Sequence, residues 1–275
     1  MRAAELGANT FQIFSASPRM WRARAPDPAE VQRLREARGR LDLTPLVVHD
    51  NYLINLAAGD PPLRARSMAA FRSEIERCLA IGAEYLVLHP GSYKGQTLEA
   101  GIQALADSLV ESAKGLKSEH LMLLLENTAG SGSAIGSRFE ELAEVRRAAA
   151  RRMGFRLGFC LDTAHSLAAG YDVAAASGLE KTLREVDRVL GLDSVPVIHT
   201  NDSKAPLGSR VDRHEHIGRG YIGIQGFRRI LNHPRLRDKA FILETPIDQE
   251  GDDRRNLLKL KRLCRKSRTI TSKSS

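Results

Sequence analysis

LGFCLDTAHSLAAGYD, residues 157–172, changes character at its centre. Leu157, Phe159, Cys160 and Leu161 form a short apolar run of the length expected for a strand buried on both faces. The run stops at Asp162, and His165 follows three residues later, ahead of a small-residue, helix-like segment. Asp162 reads either as the N-cap of that helix or as a ligand presented, with His165, to a common partner.

The same grammar recurs along the chain. Strand candidates are TFQIFS (10–15), LVVHD (46–50), YLVLHP (85–90), LMLLLEN (121–127), LGFCLD (157–162), VPVIHTND (195–202) and AFILETP (240–246). Helix-period stretches lie between them, including PAEVQRLREARGRL, ARSMAAFRSEIERCLAIG, LEAGIQALADSLVESAKGL, RFEELAEVRRAAARRM and LEKTLREVDRVLG. Continuous apolar strands alternating with amphipathic helices imply a parallel sheet covered by helices. Six strands end in His49, His89, Glu126, Asp162, His199 and Glu244. In a (β/α)₈ barrel such ends converge on one face, where the active site is built. An open doubly wound sheet favours a glycine-rich first turn, and none is present. The expected fold is therefore α/β, a TIM (β/α)₈ barrel. Only seven strands are found, and the chain opens in a helix-like RAAELG, so the barrel is expected to lack its first N-terminal strand.

At 275 residues the chain suits one large domain, able to bury roughly 75% of its unfolded surface. No linker or shift of composition divides it, so residues 1–260 are read as one barrel domain and 261–275 as a basic, disordered tail. No run approaches the roughly 18 apolar residues of a membrane span, and the N-terminus lacks the pattern of a signal peptide. Three widely spaced cysteines argue against a disulfide framework and fit a reducing cytoplasm. The net charge of +9 favours polyanionic partners, although part of it belongs to the tail.

The strand ends make sense as metal chemistry. To the six residues above, His165 adds a seventh, and SRVDRHEHIGRG adds Asp212 and His214. Imidazole and carboxylate without thiolate suit zinc, manganese or iron, and so many donors exceed one ion's needs. Clustered divalent ions are what phosphodiester hydrolysis uses. A lone strand-end histidine such as His49 is more often an ordinary core or surface residue, and Asp162 alone is more often a cap. Independent accidents do not place His, Asp or Glu at the same end of six strands. Glu126 and Glu244, closing very apolar strands, are costly to bury unpaired.

These stretches resemble the endonuclease IV family of apurinic/apyrimidinic-site endonucleases, which are trinuclear-zinc TIM barrels. The likeness runs through HDNYLINLAAGD, LHPGSY, LLLENTAGSGSAIGSRFEEL, CLDTAHSLAAGYD, HTNDSKAPLGSRVDRHEHIGRGYIG and ILET, and spans about Thr10 to Glu244. The resemblance implies three Zn²⁺ ions, with Mn²⁺ as an alternative at one or more sites. His49, His89 and Glu126 would hold the first. Glu126 would bridge to the second, held also by Asp162, His199 and Glu244. His165, Asp212 and His214 would hold the third. Glu126 and Glu244 would be the catalytic pair. The implied reaction is hydrolysis 5′ to an abasic site in double-stranded DNA, leaving a 3′-hydroxyl and a 5′-deoxyribose phosphate, with trimming of blocked 3′ ends as a companion activity in base excision repair. By the same resemblance Tyr52 and Leu53 would intercalate and Arg19 would enter the base stack, suited to a flipped-out abasic nucleotide; ordinary helix packing is the plain alternative for Tyr52 and Leu53. Asn201, Asp202 and Lys204 are read either as support for the ligands or as phosphate contacts, with a plain solvated loop the alternative for Lys204. Gly91 and Ser92 either admit substrate backbone or form a turn. A monomer without membrane attachment is expected.

Besides the absent first strand, two features depart from the family pattern. His216 is an extra imidazole, read as facing solvent rather than competing for the third ion, and Arg219 replaces an acidic residue between Gly218 and Gly220. Two other readings compete. A xylose isomerase-like sugar isomerase or epimerase would use Glu126, Asp162, His199 and Glu244 around one ion, leaving the other five ligands idle. An inactive, truncated DNA-binding homologue would bind DNA without cutting it.

Overall fold

The computed structural model describes residues 1–264. Nine strands form among the described residues: β1 (Phe11–Phe14), β2 (Leu46–His49), β3 (Tyr85–Leu88), β4 (Lys117–Glu126), β5 (Gly154–Asp162), β6 (Val197–His199), β7 (Asp202–Ser203), β8 (His214–Glu215) and β9 (Ala240–Ile242). The helices are α1 (Arg2–Glu5), α2 (Pro28–Leu41), α3 (Pro61–Ile81), α4 (Leu98–Ser112), α5 (Phe139–Ala149), α6 (Thr163–Ala169), α7 (Ala176–Val189), α8 (Gly223–Asn232) and α9 (Asp252–Leu263). Strands β1, β2, β3, β4, β5, β6 and β9 pair in that order, every pair parallel. They make a nearly closed barrel, as expected. Among the described residues β1 and β9 do not pair, and a cavity of about 780 Å³ lies along this seam, with Phe11 and Ile13 on one side and Phe241 and Leu243 on the other.

Two apolar layers hold the barrel. Leu46, Val48, Leu86, Leu88, Leu123 and Leu125 point outward into the large core beneath the helices. Val47, Val87, Leu124, Cys160, Val197 and Ile242, one from each strand β2 to β6 and β9, form a separate buried cluster inside. Burying a Val, Leu or Ile side chain contributes about 1.5–3 kcal/mol, so this ring is a substantial part of the closure. Side chains alternate with period two along a strand. Two residues after each member of the inner ring the chain therefore points inward again, at His49, His89, Glu126, Asp162, His199 and Glu244. The site is the next layer of the barrel interior, at the C-terminal ends of the strands.

Three expectations change. The run 195–202 is not one strand: β6 ends at His199, and Asp202–Ser203 pairs antiparallel with His214–Glu215. β4 and β5 begin earlier than their apolar runs, because Lys117 and Gly154 pair across an irregular register before Met122. α9 continues through Leu263, so 261–263 are helical; the rest of the expected tail, from 265, lies outside the described residues. Cys78, Cys160 and Cys264 are free thiols. No helix among the described residues is long and apolar enough to cross a membrane.

Candidate metal centre

Glu126 is wholly buried at the end of β4 and faces four imidazoles. Its Oε2 lies 3.3 Å from His49 Nε2 and 3.3 Å from His89 Nε2, and its Oε1 lies 3.0 Å from His199 Nδ1 and 3.3 Å from His165 Nδ1. Glu244 Oε2 approaches the same His199 Nδ1 at 3.1 Å. On the other side His165 Nε2 lies 3.2 Å from Asp212 Oδ2, and His214 Nε2 lies 3.5 Å from Asp212 Oδ1 and 3.7 Å from Asp162 Oδ2. Donor atoms fall into overlapping groups: His49, His89 and Glu126; Glu126, Asp162, His199 and Glu244; Asp162, His165 and His214. The spread matches donors sharing one ion, since two bonds of 2.0–2.1 Å place donors roughly 3.3 Å apart in tetrahedral geometry.

Hydrogen bonding fixes which nitrogens face the cluster. Nδ1 of His49 lies 2.9 Å from the Asp50 carbonyl, Nδ1 of His165 lies 2.9 Å from the Asn127 carbonyl, and Nδ1 of His214 lies 3.1 Å from the Glu244 carbonyl. A carbonyl only accepts, so each Nδ1 carries a proton, and whenever the ring is neutral its Nε2 lone pair is turned toward a carboxylate. Two acceptors at such range repel unless a proton or a cation lies between them. His214 Nε2 is the one buried side-chain nitrogen or oxygen among the described residues with no hydrogen-bond partner. An oriented, unpartnered imidazole nitrogen beside Asp162 and Asp212 is what a metal ligand requires.

The protons report the same balance. Burial disfavours charge on His49, yet the hydrogen bond and charge of Glu126 prevail and raise its pKa to about 9. Burial likewise opposes ionisation of Glu244, and His199 prevails, lowering it to about 2. Burial also opposes charge on Glu126, and His199 and His89 hold it well below the usual carboxylate range. A histidine raised on folding stabilises fully below its unfolded value of 6.5, and that contribution is lost as pH rises through about 9. A lowered carboxyl stabilises above 4.5 and loses the contribution as pH falls through about 2. The metal-free protein is therefore expected to melt at a lower temperature at pH 9 than at pH 6. Ligation needs unprotonated imidazole, so the metal-loaded protein is expected to show the opposite trend. Melting curves of chelator-treated and metal-loaded protein at both pH values check this; parallel trends would count against the metal reading.

Asp162 does two jobs. Its Oδ1 caps α6 by accepting the His165 backbone N–H at 2.7 Å, while Oδ2 faces the cluster and takes a hydrogen bond from Asn201 Nδ2 at 2.5 Å. The capping and ligand readings are thus not alternatives. Asn127, unremarked in the sequence, supports both residues: its Oδ1 accepts from Asp162 N at 2.7 Å, and its carbonyl takes His165. Asn201 stands behind Asp162 and Glu244, also accepting the Glu244 N–H at 2.8 Å. Asp202 does not face phosphate. It is buried and gathers the N–H groups of Gly218, Gly220 and Ile222 at 2.8–3.0 Å, shaping the loop that follows His214. Cys160 Sγ also neighbours Glu126 and His199, but burial raises its thiol to about 12, and its side chain belongs to the apolar ring.

The family described as a xylose isomerase-like TIM barrel matches residues 1–266. A protein of Solibacter usitatus named "Probable endonuclease 4" is 58% identical over 264 residues, 96% of this chain and 91% of its own. The chain belongs to the endonuclease IV family. The crystal structure of endonuclease IV from Thermus thermophilus agrees with a TM-score of 0.82 at 41% identity, over 95% of this chain and 91% of that one. A D-tagatose 3-epimerase-like protein superposes with a TM-score of 0.67 at 20% identity, over 95% and 89% of the two chains, and shares the fold alone. In this endonuclease IV family member all nine expected ligand residues converge, five more than a one-metal isomerase uses.

The residues expected to meet DNA lie around this centre. Tyr52 is 61% exposed and sits with half-buried Leu53 in a turn, so helix packing does not explain it. Its ring packs edge-on against Phe14 at 5.1 Å and stands 6.1 Å from the His49 ring. The Tyr52 N–H donates to the Pro18 carbonyl at 3.2 Å, and Asn51 Nδ2 donates to the Met20 carbonyl at 2.5 Å. Exposed Arg19 and Tyr52 are therefore carried on two stitched loops beside the candidate metal centre. Lys204 is exposed beyond β7. Gly91 has a φ of +86°, and a Cβ there would strike Asn55; Ser92 pairs antiparallel with Ala134. His216 neither joins the cluster nor faces solvent; mostly buried, it bonds Asn256 at 3.0 Å and turns toward Asp248 at 3.7 Å. Arg219 is exposed, and nothing in the structure explains its replacing an acidic residue.

Proposed function

We propose that the protein hydrolyses the phosphodiester 5′ to abasic sites in double-stranded DNA and also trims blocked 3′ ends, using three zinc ions, with manganese able to replace zinc at one or more positions. The observation that carries the reading is the set of overlapping donor groups that share Glu126 and Asp162. His49, His89 and Glu126 would hold one ion, Glu126, Asp162, His199 and Glu244 the second, and His165, Asp212 and His214 the third. Bound there, the ions supply Lewis acidity and charge neutralisation for phosphoryl transfer.

The chain's own residues do the rest. Glu244, ionised over the working pH range, accepts a hydrogen bond from the attacking water and helps deprotonate it. Glu126 holds the ligand groups in fixed relation to one another. Water oxygen bonds to phosphorus, the bond from phosphorus to the 3′ oxygen breaks, and that oxygen takes a proton. The products are a 3′-hydroxyl and a 5′-deoxyribose phosphate. Tyr52, Leu53 and Arg19 fill the stack vacated by the extruded nucleotide, and Lys204 meets the strand's phosphates. The net charge of +9 supports a polyanionic substrate. The working form is a monomer in a reducing cytoplasm, bound to DNA and to no membrane.

The test is a duplex carrying a single tetrahydrofuran abasic analogue. Purified, zinc-loaded protein is expected to nick it on the 5′ side, and a chelator strong enough to strip tight zinc should abolish nicking. A well-folded, zinc-loaded sample that leaves the duplex intact sinks the reading, including its distinction from an inactive DNA-binding homologue.

A further inference from the structure

The inner ring of the barrel is apolar on six strands, but on β1 the residue in register with Val47 is Gln12. Its amide reaches the ligand layer. Gln12 Nε2 donates to Glu244 Oε1 at 2.6 Å, and Gln12 Oε1 lies 2.8 Å from His199 Nε2. The amide's orientation follows from chemistry: an ionised carboxylate only accepts, so the NH₂ must face Glu244 and the oxygen must face His199. An amide oxygen cannot donate, so His199 Nε2 carries the hydrogen. The lone pair of the neutral ring is then on Nδ1, the atom 3.0 Å from Glu126 and 3.1 Å from Glu244.

We propose that Gln12 is a positioning residue for the metal centre, holding His199 in the tautomer that ligates through Nδ1 while steering Glu244 toward the same ion. The inference rests on the preceding reading that His199 and Glu244 share an ion. His199 differs from its neighbours in this respect. His49, His165 and His214 are oriented by backbone carbonyls, which a point substitution cannot remove, whereas His199 depends on a side chain. Two ligands hang on one amide, and that amide stands on the strand bordering the open seam. Loss of it frees the ring to rotate or switch tautomer, and leaves Glu244 without one of its hydrogen bonds.

The experiment uses the full chain loaded with zinc, compared with Gln12→Met, which keeps the volume and removes the amide. Zinc affinity is read by competition with a chromophoric chelator, and ring protonation by ¹⁵N–¹H correlation of the histidines. Expected are a loss of about 10- to 100-fold in affinity for one bound ion, and loss of the exchange-protected Nε2 proton of His199. Turnover on the abasic duplex should fall while KM holds, because substrate is gripped elsewhere. Gln12→Glu, which restores an acceptor to His199 Nε2, should recover that proton's signal. A folded Gln12→Met protein with wild-type zinc affinity overturns the proposal. So does wild-type protein whose His199 is protonated on Nδ1 and ligates through Nε2, a result needing no variant. A wild-type chain that binds no zinc defeats this inference together with the proposed function; unchanged affinity in Gln12→Met, with wild-type nicking intact, defeats this inference alone.

Discussion

Glu126→Gln is expected to lower nicking of an abasic duplex by at least about three orders of magnitude. The carboxylate belongs to three donor groups, two of them built from imidazoles and carboxylates alone, so its loss should weaken two ion positions at once. Metal-ion catalysis supplies several kcal/mol of charge stabilisation, and each 1.36 kcal/mol is a factor of ten in rate. Glutamine keeps the shape but carries no charge and can place an NH₂ where an oxygen faced His49 and His89. Steady-state kinetics with metal analysis on the same sample check the expectation. Activity within tenfold of wild type, with full metal content, would show that Glu126 is not the shared ligand. The effect on stability should depend on pH. Without metal, Glu126 faces imidazoles at 3.0–3.3 Å, and breaking buried ion pairs commonly costs about 3–5 kcal/mol. Near pH 6 much of that penalty should appear, and it should shrink as pH rises through about 9, where His49 loses its proton.

The ligand layer is legible in the sequence because a strand's period of two is rigid. Once an apolar run is accepted as a barrel strand, the polar residue closing it points either into the barrel or into the helix layer, and six such residues ending six runs point inward together. His214 and Asp212 are harder to place from residues alone. They reach the centre only because β6 stops at His199 and the two-residue pairing of β7 with β8 folds the loop back, a contact too short to leave a periodic signal. Gln12 escapes notice for the opposite reason. A glutamine inside TFQIFS breaks no pattern when strands are sought, although a polar side chain in register with Val47 is conspicuous once the inner ring is known. Asn127 leaves no trace beyond its position after Glu126, since its work is done as much by its carbonyl as by its amide. The burial of His216 depends on α9, whose Asn256 meets it from 40 residues further along the chain, so a histidine near this loop reads as solvent-facing.

Asp162 allows its two jobs to be separated. Asp162→Asn retains an oxygen able to accept the His165 N–H, so α6 should stay capped, whereas Asp162→Ala removes cap and ligand together. Loss of an N-cap acceptor costs about 0.5–2 kcal/mol, and the alanine variant should melt lower than the asparagine variant by a corresponding amount in metal-free protein. In the metal centre the two should be nearly equal. Neither offers a carboxylate to the groups containing His199 and His214, and the NH₂ of asparagine would oppose the Asn201 amide that now donates to Oδ2. Both are therefore expected to lose metal from two positions and to nick an abasic duplex at least about a thousandfold more slowly, a loss of about 4 kcal/mol of transition-state stabilisation. The pair of variants thus reads stability and metal binding on separate axes: metal-free melting distinguishes Asn from Ala, while metal content and turnover do not. An Asp162→Asn protein that keeps its full metal complement would reduce Asp162 to a cap. Equal metal-free melting of the two variants would show that the His165 N–H gains nothing from the side chain, leaving only the ligand.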